Sequence, residues 1–307
     1  MPASKKIPLT VRRTRLAKVR AKAIEKVKDK IRPVFRRQFR RLESFLRARN
    51  RGGNLRNRIG KIELPTYQVD GDKIVFSKAP YGDMEAVYQL PISPASGSNV
   101  EVKIDESLYK VKYFFKANAQ SQQDWDVWKK TLVAALILAL LGIVTDFGDE
   151  ENDIWQTRGY DPVDFNSQQI VDALRARVGE AYFSGLADTT FDGVEQKVTD
   201  WNSGDQPIGD LISSLDQYFN DNRIDTIAST TAGAAESAVV YTEMLARGWK
   251  YFYWDAMMED TDNPPCDFCQ NMHGQKLLVS EGMPPDASHE NCRCEAIPIE
   301  ESEDDNG

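Results

Sequence analysis

The chain has 307 residues, 41% of them hydrophobic and 28% charged, which suits a soluble globular protein of about two domains. This composition excludes a wholly disordered chain, a collagen-like chain and a small disulfide scaffold. The formal net charge is −8, but residues 1–60 carry 21 Lys and Arg against 3 Asp and Glu, whereas the remainder carries 18 against 44. The asymmetry predicts a basic arm on an acidic body.

An apolar stripe at helical spacing runs along residues 16–46. Residues 1–15 are polar and basic, and we expect them to be mobile. Pro33 predicts a kink or break at Arg32, and the run Asn50–Gly53 predicts a helix end. Residues 1–60 are therefore predicted to form a basic amphipathic helical arm. Steps of three and four separate the apolar positions, which are Leu16, Val19, Ala23, Val27, Ile31, Phe35, Phe39, Leu42 and Leu46.

Residues 61–118 are predicted to form a small β subdomain. Three runs rich in β-formers lie here, at 73–76, 100–104 and 109–113. The last two alternate in polarity, and Asp105-Glu106-Ser107 between them suits a hairpin turn.

Residues 119–150 are predicted to form an apolar helix and an acidic linker. Residues 131–144 lack any charge, and uncharged runs of roughly 10–14 residues are typical of buried core helices. Because Trp125 and Trp128 stand just upstream, a membrane-active segment with an interfacial aromatic belt is the alternative. Residues 146–153 supply the acidic linker.

The rest of the chain is predicted to comprise a helical body at 151–256, a zinc-binding module at 257–300 and an acidic tail at 301–307. Ile170, Leu174 and Val178 repeat at helical spacing. Pro207 opens one helix. A long helix from about Arg223 ends at Gly248, and the aromatic run 249–254 reads as a strand.

All four cysteines and both histidines fall within residues 266–294. Because no secretory signal follows the basic N-terminus, a reducing compartment is expected, and there clustered cysteines indicate metal rather than disulfides. Soft thiolates favour zinc, which takes four ligands in structural sites. The predicted ligands are Cys266, Cys269 and Cys294, with Cys292 or His289 as the fourth. Reduced packing cysteines, disulfides and a catalytic zinc using Glu290 are the alternatives, and His273 is interpreted as a loop histidine.

The residues around these cysteines resemble the C-terminal motif of the Mu F-like minor head proteins of tailed phages. The resemblance rests on Asp262 to Gly274, with Cys266-Asp-Phe-Cys269 at its centre, and on Pro284-Pro285 followed by His289 and Cys292-Arg293-Cys294. The preceding helix and aromatic strand fit too, so the resemblance covers roughly residues 208–298. It implies a head morphogenesis protein that enters the head with the portal protein, in several copies per particle. It implies no catalytic activity.

The basic arm has four interpretations. It binds double-stranded DNA through phosphate contacts, docks on a protein partner, lies on a membrane surface, or folds against its own acidic body. We expect DNA or the portal and other head proteins as partners rather than a membrane. The candidate nucleic-acid-binding residues are Arg12, Arg13, Arg15, Lys18, Arg20, Lys22, Arg36, Arg37, Arg40 and Arg41.

The sequence as a whole predicts an α+β fold with a basic helical arm, a small β subdomain, a mainly helical body and a C-terminal β module stapled by structural Zn²⁺. The predicted function is that of a non-enzymatic minor capsid protein, found in the host cytoplasm during assembly and then in the virion, in the head interior or at the portal vertex. A metal-dependent nuclease and a membrane-active DNA-ejection protein are the alternatives.

Overall fold

A helix of 41 residues, α1 (Leu9–Arg49), opens the part of the chain that the computed structural model describes. That part comprises residues 9–64, 67–70, 73–76, 86–89, 105–117, 119–165, 180–256, 265–281 and 294–299. The predicted stripe is the buried face of α1, with Val19 and Phe39 half-buried and its other members buried. Residues 9–15, predicted to be mobile, are its first turns. The helix ends where predicted, and Gly52 and Gly53 follow with positive φ of 73° and 72°.

Helix α1 continues through Pro33, so of the predicted kink or break the break does not occur. The proline removes one backbone hydrogen bond, which costs about 3 kcal/mol in a helix interior. Its own side chain is exposed, whereas Ile31 and Phe35 on either side are fully buried. Burying such side chains contributes roughly 1.5–3 kcal/mol each, which offsets the loss and keeps the helix continuous.

The predicted β subdomain holds a three-stranded antiparallel sheet and a helix. A short helix, α2 (Leu55–Gly60), precedes strands β1 (Tyr67–Asp70), β2 (Lys73–Phe76) and β3 (Ala86–Gln89), of which β2 is central. The strand predicted at 73–76 is thus confirmed as β2. The run predicted at 100–104 lies outside the described residues.

The hairpin predicted around Asp105 is wrong, because helix α3 (Glu106–Ala117) replaces its second strand. The Asp105 carboxylate accepts hydrogen bonds from the backbone N–H groups of Ser107 and Leu108, at 3.0 and 3.2 Å, and so caps the helix. Val111, Phe114 and Phe115 are buried at helical spacing. The alternation across residues 109–113 therefore belongs to a longer helical pattern.

Helix α4 (Ala119–Gln156) contains both the predicted apolar helix and the predicted acidic linker. The linker prediction is wrong, because residues 146–153 continue the helix and bury Phe147 and Glu151. Within the described residues, α4 is the one helix with an apolar stretch long enough to cross a membrane, and half of that stretch is buried inside the protein.

In the described residues after α4, three α-helices precede the second sheet: α5 (Glu180–Asn202), α6 (Ile208–Leu215) and α7 (Asp221–Arg247). Pro207 directly precedes α6, as predicted. Asn220 caps α7, and Gly248 ends it in a left-handed conformation with φ of 74°. The middle of α7, residues 230–240, is buried on all sides and rich in small residues, which is typical of a core helix. The repeat predicted at 170–178 lies outside the described residues.

A second three-stranded antiparallel sheet forms the C-terminal module. Strand β4 (Tyr251–Asp255) is its centre, with β5 (Lys276–Leu278) on one side and β6 (Glu295–Ile299) on the other. Helix α8 (Asp267–Met272) lies between β4 and β5 in the chain. The aromatic strand and the β module are thus present, and the fold is α+β and mainly helical.

The chain divides into two compact units, each built from segments far apart in sequence. The first comprises residues 1–35, 131–186 and 220–307, and the second residues 36–130 and 187–219. The predicted domains, in contrast, are consecutive segments of the chain. The units are discontinuous in sequence because α1, α4 and α5 each contribute residues to both of them.

Candidate metal centre and the basic helix

The Cys-x-x-Cys pair lies at the start of α8. Cys266 precedes the first helical residue with an extended backbone and is exposed, whereas Cys269 lies in the first turn and is buried. The backbone N–H of Gln270 donates to the carbonyl oxygen of Cys266 at 2.9 Å. Residues three apart in a helical turn share one side, so this turn brings the two cysteines onto the same side of the chain.

Cys294 directly precedes β6 and is buried in the same hydrophobic cluster as Cys269. Two aromatic side chains of β4, Phe252 and Trp254, belong to this cluster as well. The fold therefore brings together two cysteines that are 25 positions apart in the sequence. The other two predicted ligands, His289 and Cys292, lie outside the described residues.

The described residues do not by themselves complete a metal site. Among them, no three His, Cys, Asp or Glu side chains form a group that could hold a metal ion. The donor chemistry nevertheless fits zinc in part. Cys269 and Cys294 lie in one hydrophobic cluster, and Cys266 lies at the start of the helical turn that contains Cys269. A four-ligand site would need Cys292 or His289 in addition.

His273 contacts the backbone of the module. It follows the last residue of α8, and its Nδ1 accepts a hydrogen bond from the N–H of Ala256 at 3.2 Å. The same nitrogen lies 3.6 Å from Oδ1 of Asp255. The imidazole thus ties the end of α8 to the end of β4.

The first turns of α1 carry arginines that pair with buried acids of the first unit. Arg12 is buried, with Nη2 2.5 Å from Oε1 of Glu151 and Nη1 3.8 Å from Oε2 of Glu295. Arg20 pairs with Glu236 at 2.7 Å and with Glu295 at 3.3 Å. We call Arg12, Arg20, Glu151, Glu236 and Glu295 the buried ion network.

Two further arginines of α1 pair with acids next to this network. Arg13 forms an ion pair with the buried Asp255 at the end of β4. Arg15 pairs with Glu150 and Asp153 of α4. Four of the candidate nucleic-acid-binding residues, Arg12, Arg13, Arg15 and Arg20, are thus engaged by the acidic body of the protein. For them the structure favours the interpretation in which the arm folds against its own body.

The other candidate nucleic-acid-binding residues are exposed. In the first unit these are Lys18 and Lys22. In the second unit they are Arg36, Arg37, Arg40 and Arg41, and Arg41 lies 3.7 Å from Asp124. These six side chains are therefore exposed along α1, whereas Arg12, Arg13, Arg15 and Arg20 are held by acids of the first unit.

The acids of the buried ion network were missed in the sequence analysis. In the sequence, such an acid can be recognised because it occupies a position where the helical repeat places buried apolar side chains. Glu151 stands four residues after Phe147 and four before Trp155, and all three side chains are buried. The Trp155 indole N–H donates to Oε2 of Glu151 at 3.0 Å. A charged acid at such a position is costly unless a cation pairs with it, and Arg12 of α1 supplies that cation.

Burial raises the pKa values of two carboxyl groups in the first unit. Desolvation is the main cause, and the negative charge of the nearby Glu151 the second, that raises the pKa of Glu243 to about 8 despite the ion pair with Arg247 at 2.9 Å. Desolvation, followed by Glu236, raises the pKa of Glu295 to about 7 against the effect of Arg20 and Arg12. Oε2 of Glu243 is buried and has no hydrogen-bond partner among the described residues, which fits a carboxyl group that is protonated at neutral pH.

Glu243→Gln is expected to flatten the pH dependence of stability. Because the folded-state pKa lies above the unfolded value, the contribution of Glu243 is greatest below about pH 4.5 and is lost as the pH rises through 8. The expected loss is on the order of 2–4 kcal/mol between pH 5 and pH 8. Urea unfolding at several pH values measures it in the wild type and in the variant. An unchanged slope in the variant would show that another group titrates.

Comparison with known proteins returns no match to this chain, whether with protein-family models, with curated proteins or with solved structures.

Proposed function

We propose that this protein is a minor head protein of a tailed phage, similar to the Mu F-like family. The observation that carries the proposal is the motif of residues 262–294, with Cys266, Cys269, His289, Cys292 and Cys294 in the family's order. The β4 strand and the start of α8 lend support, because an aromatic strand followed by a Cys-x-x-Cys turn is the local structure that the motif implies.

The proposal includes a structural Zn²⁺ in the C-terminal module. Cys266, Cys269 and Cys294 would hold it, together with Cys292 or His289. The ion would supply folding free energy rather than chemistry, because the described residues of the module form short strands and a six-residue helix, and their hydrophobic cluster is completed by residues of α4 and α7.

The arm is proposed to have two roles, which different residues of α1 perform. Arg12 and Arg20 join it to the body of the first unit, as their ion pairs with Glu151, Glu236 and Glu295 indicate. Its exposed cations would contact packaged DNA or an acidic surface of the portal. DNA contacts of this kind depend on phosphate charge and not on base sequence.

DNA binding by the exposed cations is tested by replacing Arg37 and Arg40 with glutamine. In fluorescence anisotropy with a short duplex, log affinity should fall with log salt by about 0.9 per phosphate contacted. If each arginine contacts one phosphate, the double variant should lose about 1.8 from this slope. Lys197→Gln, on α5, is the matched control and should leave the slope unchanged. A salt-independent affinity of the wild type would contradict DNA binding by the arm.

The role in the head is tested by quantitative mass spectrometry of purified particles and of portal pull-downs from producing cells. A few copies per particle, recovered with the portal protein, are expected. Absence from both samples would contradict the proposal. Metal-dependent cleavage of plasmid DNA that is lost in His289→Ala would favour the nuclease alternative instead.

A further inference from the structure

Helix α4 presents an apolar face to solvent within the first unit. Leu138 is 66% exposed, the highest value among the large hydrophobic side chains that the structure describes. Ala134, four residues before it, and Gly142, four residues after it, are exposed as well, and Leu141 is half-buried. Because their spacing matches the helical repeat, these four residues lie on one side of the helix. We call them the exposed α4 face.

No charged residue interrupts this stretch of α4 over about four helical turns. Residues 131–145 contain no Asp, Glu, Lys or Arg, although charged residues make up 28% of the chain. The stretch is about 22 Å long. The solvent side of a helix in a soluble protein normally carries charged and polar side chains, and a contiguous exposed apolar patch is typical of an interaction surface. The small residues Ala134 and Gly142 allow another helix to approach closely.

The charges at the two ends of the stretch complement a second copy of the same helix. Lys130 is exposed just before it, and Asp149 is exposed three turns after Leu138. The two charges are about 28 Å apart along α4, so they cannot pair with each other within one chain. In an antiparallel pair of α4 helices, each Lys130 would face Asp149 of the other copy. The two-fold axis of that pair would pass between Leu138 and Leu141, at the middle of the exposed α4 face.

We propose that the exposed α4 face is a self-association surface on which a second copy of this chain packs its own α4 in antiparallel orientation. Leu138 of each copy packs on Leu141 of the other, and Lys130 pairs with Asp149 at both ends of the interface. Such a two-fold interface uses the same surface on both copies and closes at the dimer. Because one helix face is small compared with a standard interface, the dissociation constant should be in the micromolar range.

Self-association is tested by sedimentation velocity of the 307-residue chain at concentrations from about 1 to 200 µM. The wild type should change from monomer to dimer over this range. Leu138→Glu should remain monomeric, because it places two carboxylates near the two-fold axis. Leu245→Glu is the matched control, since Leu245 is 58% exposed but lies on α7, and it should dimerise like the wild type. A wild type that stays monomeric, or an equal loss in both leucine variants, would overturn the proposal.

A lipid surface is the other occupant that an uncharged helix face could take. Vesicles of phosphatidylcholine test it by co-sedimentation with the wild type and with Leu138→Glu. The wild type should remain in the supernatant. Binding of a monomeric wild type to the vesicles that is lost in Leu138→Glu would assign the face to lipid and overturn the proposal.

Reversal of the end charges tests the orientation of the two helices. Lys130→Glu and Asp149→Lys each bring like charges together at both ends of the antiparallel pair, so each should raise the dissociation constant about tenfold. In an equimolar mixture of the two variants, both contacts join a carboxylate to an ammonium group, and association should return to the wild-type level. Misfolding of either variant cannot produce this recovery. Unchanged association of the single variants would overturn the antiparallel orientation, and a mixture no tighter than either variant alone would overturn the contact between the two residues.

Discussion

Arg12→Met is expected to lower the free energy of unfolding by about 3–5 kcal/mol, because it removes the cation paired with the buried Glu151 and leaves Glu295 with Arg20 alone. Glu151 is fully buried and Glu295 is 96% buried, and Arg12 contacts both. Methionine fills much of the same volume, so the loss comes from the unpaired charges rather than from a cavity. Chemical denaturation followed by circular dichroism measures the change.

Lys22→Met is the matched control for this prediction. It removes a positive charge from the same helix, but the side chain of Lys22 is exposed. Its effect should stay within about 0.5 kcal/mol, as for other surface substitutions. Equal losses in the two variants would contradict a structural role for the buried ion network. Arg12→Met/Glu151→Gln should recover part of the stability, because it removes one of the unpaired charges.

Removal of zinc is expected to unfold the C-terminal module while the helices persist. The described residues of the module have little hydrophobic core of their own, because their cluster is completed by Trp155 of α4 and by Val240 and Met244 of α7. Structural zinc contributes on the order of 10 kcal/mol to the folding of small metal domains. After chelation, or in Cys269→Ser, limited proteolysis should cut within residues 257–300. The helical signal in circular dichroism should fall only slightly, because α8, the α-helix in the described part of the module, has six residues.

His273→Gln is the control for the cysteine variant. It changes a potential metal donor of the same module, but His273 contacts Ala256 and Asp255 and is not a predicted ligand. The variant should therefore retain its zinc and resist proteolysis like the wild type. Identical proteolysis of the zinc-loaded and zinc-depleted wild type would contradict the structural role of the metal.

The long periodic elements were predictable from the sequence. The stripe of α1 and the capping glycine of α7 depend on local spacing and local backbone conformation, and both are confirmed. The strand β2 and the aromatic strand β4 were found in the same way. Two errors came from short windows, because the five residues 109–113 alternate inside a helical pattern and the acids at 146–153 resemble a linker. Only the longer pattern, with Phe147, Glu151 and Trp155 on one face, identifies a helix.

The partners of the arm were not predictable from local patterns. Arg12 and Glu151 are separated by 139 positions, and Arg20 and Glu236 by 216. Lysines and arginines along α1 differ little in the sequence, whereas the fold buries Arg12 and exposes Lys18 and Lys22. The apolar stripe distinguishes the buried arginine from the exposed lysines. Arg12 lies four residues before Leu16 and therefore on the buried face of the helix, whereas Lys18 and Lys22 lie off that face. The choice of acids that pair with Arg12 and Arg20 depends on tertiary packing alone.

Metal analysis of the purified 307-residue chain tests the central claim most directly, because the proposed function rests on a motif whose chemistry is zinc binding. The protein is prepared under reducing conditions and dialysed against metal-free buffer, and its zinc is measured per chain by mass spectrometry of the elements. One zinc per chain is expected in the wild type and in His273→Gln, with loss in Cys269→Ser. A folded wild-type protein that binds no zinc after incubation with Zn²⁺ would contradict the zinc-stabilised module and the family resemblance that rests on its motif.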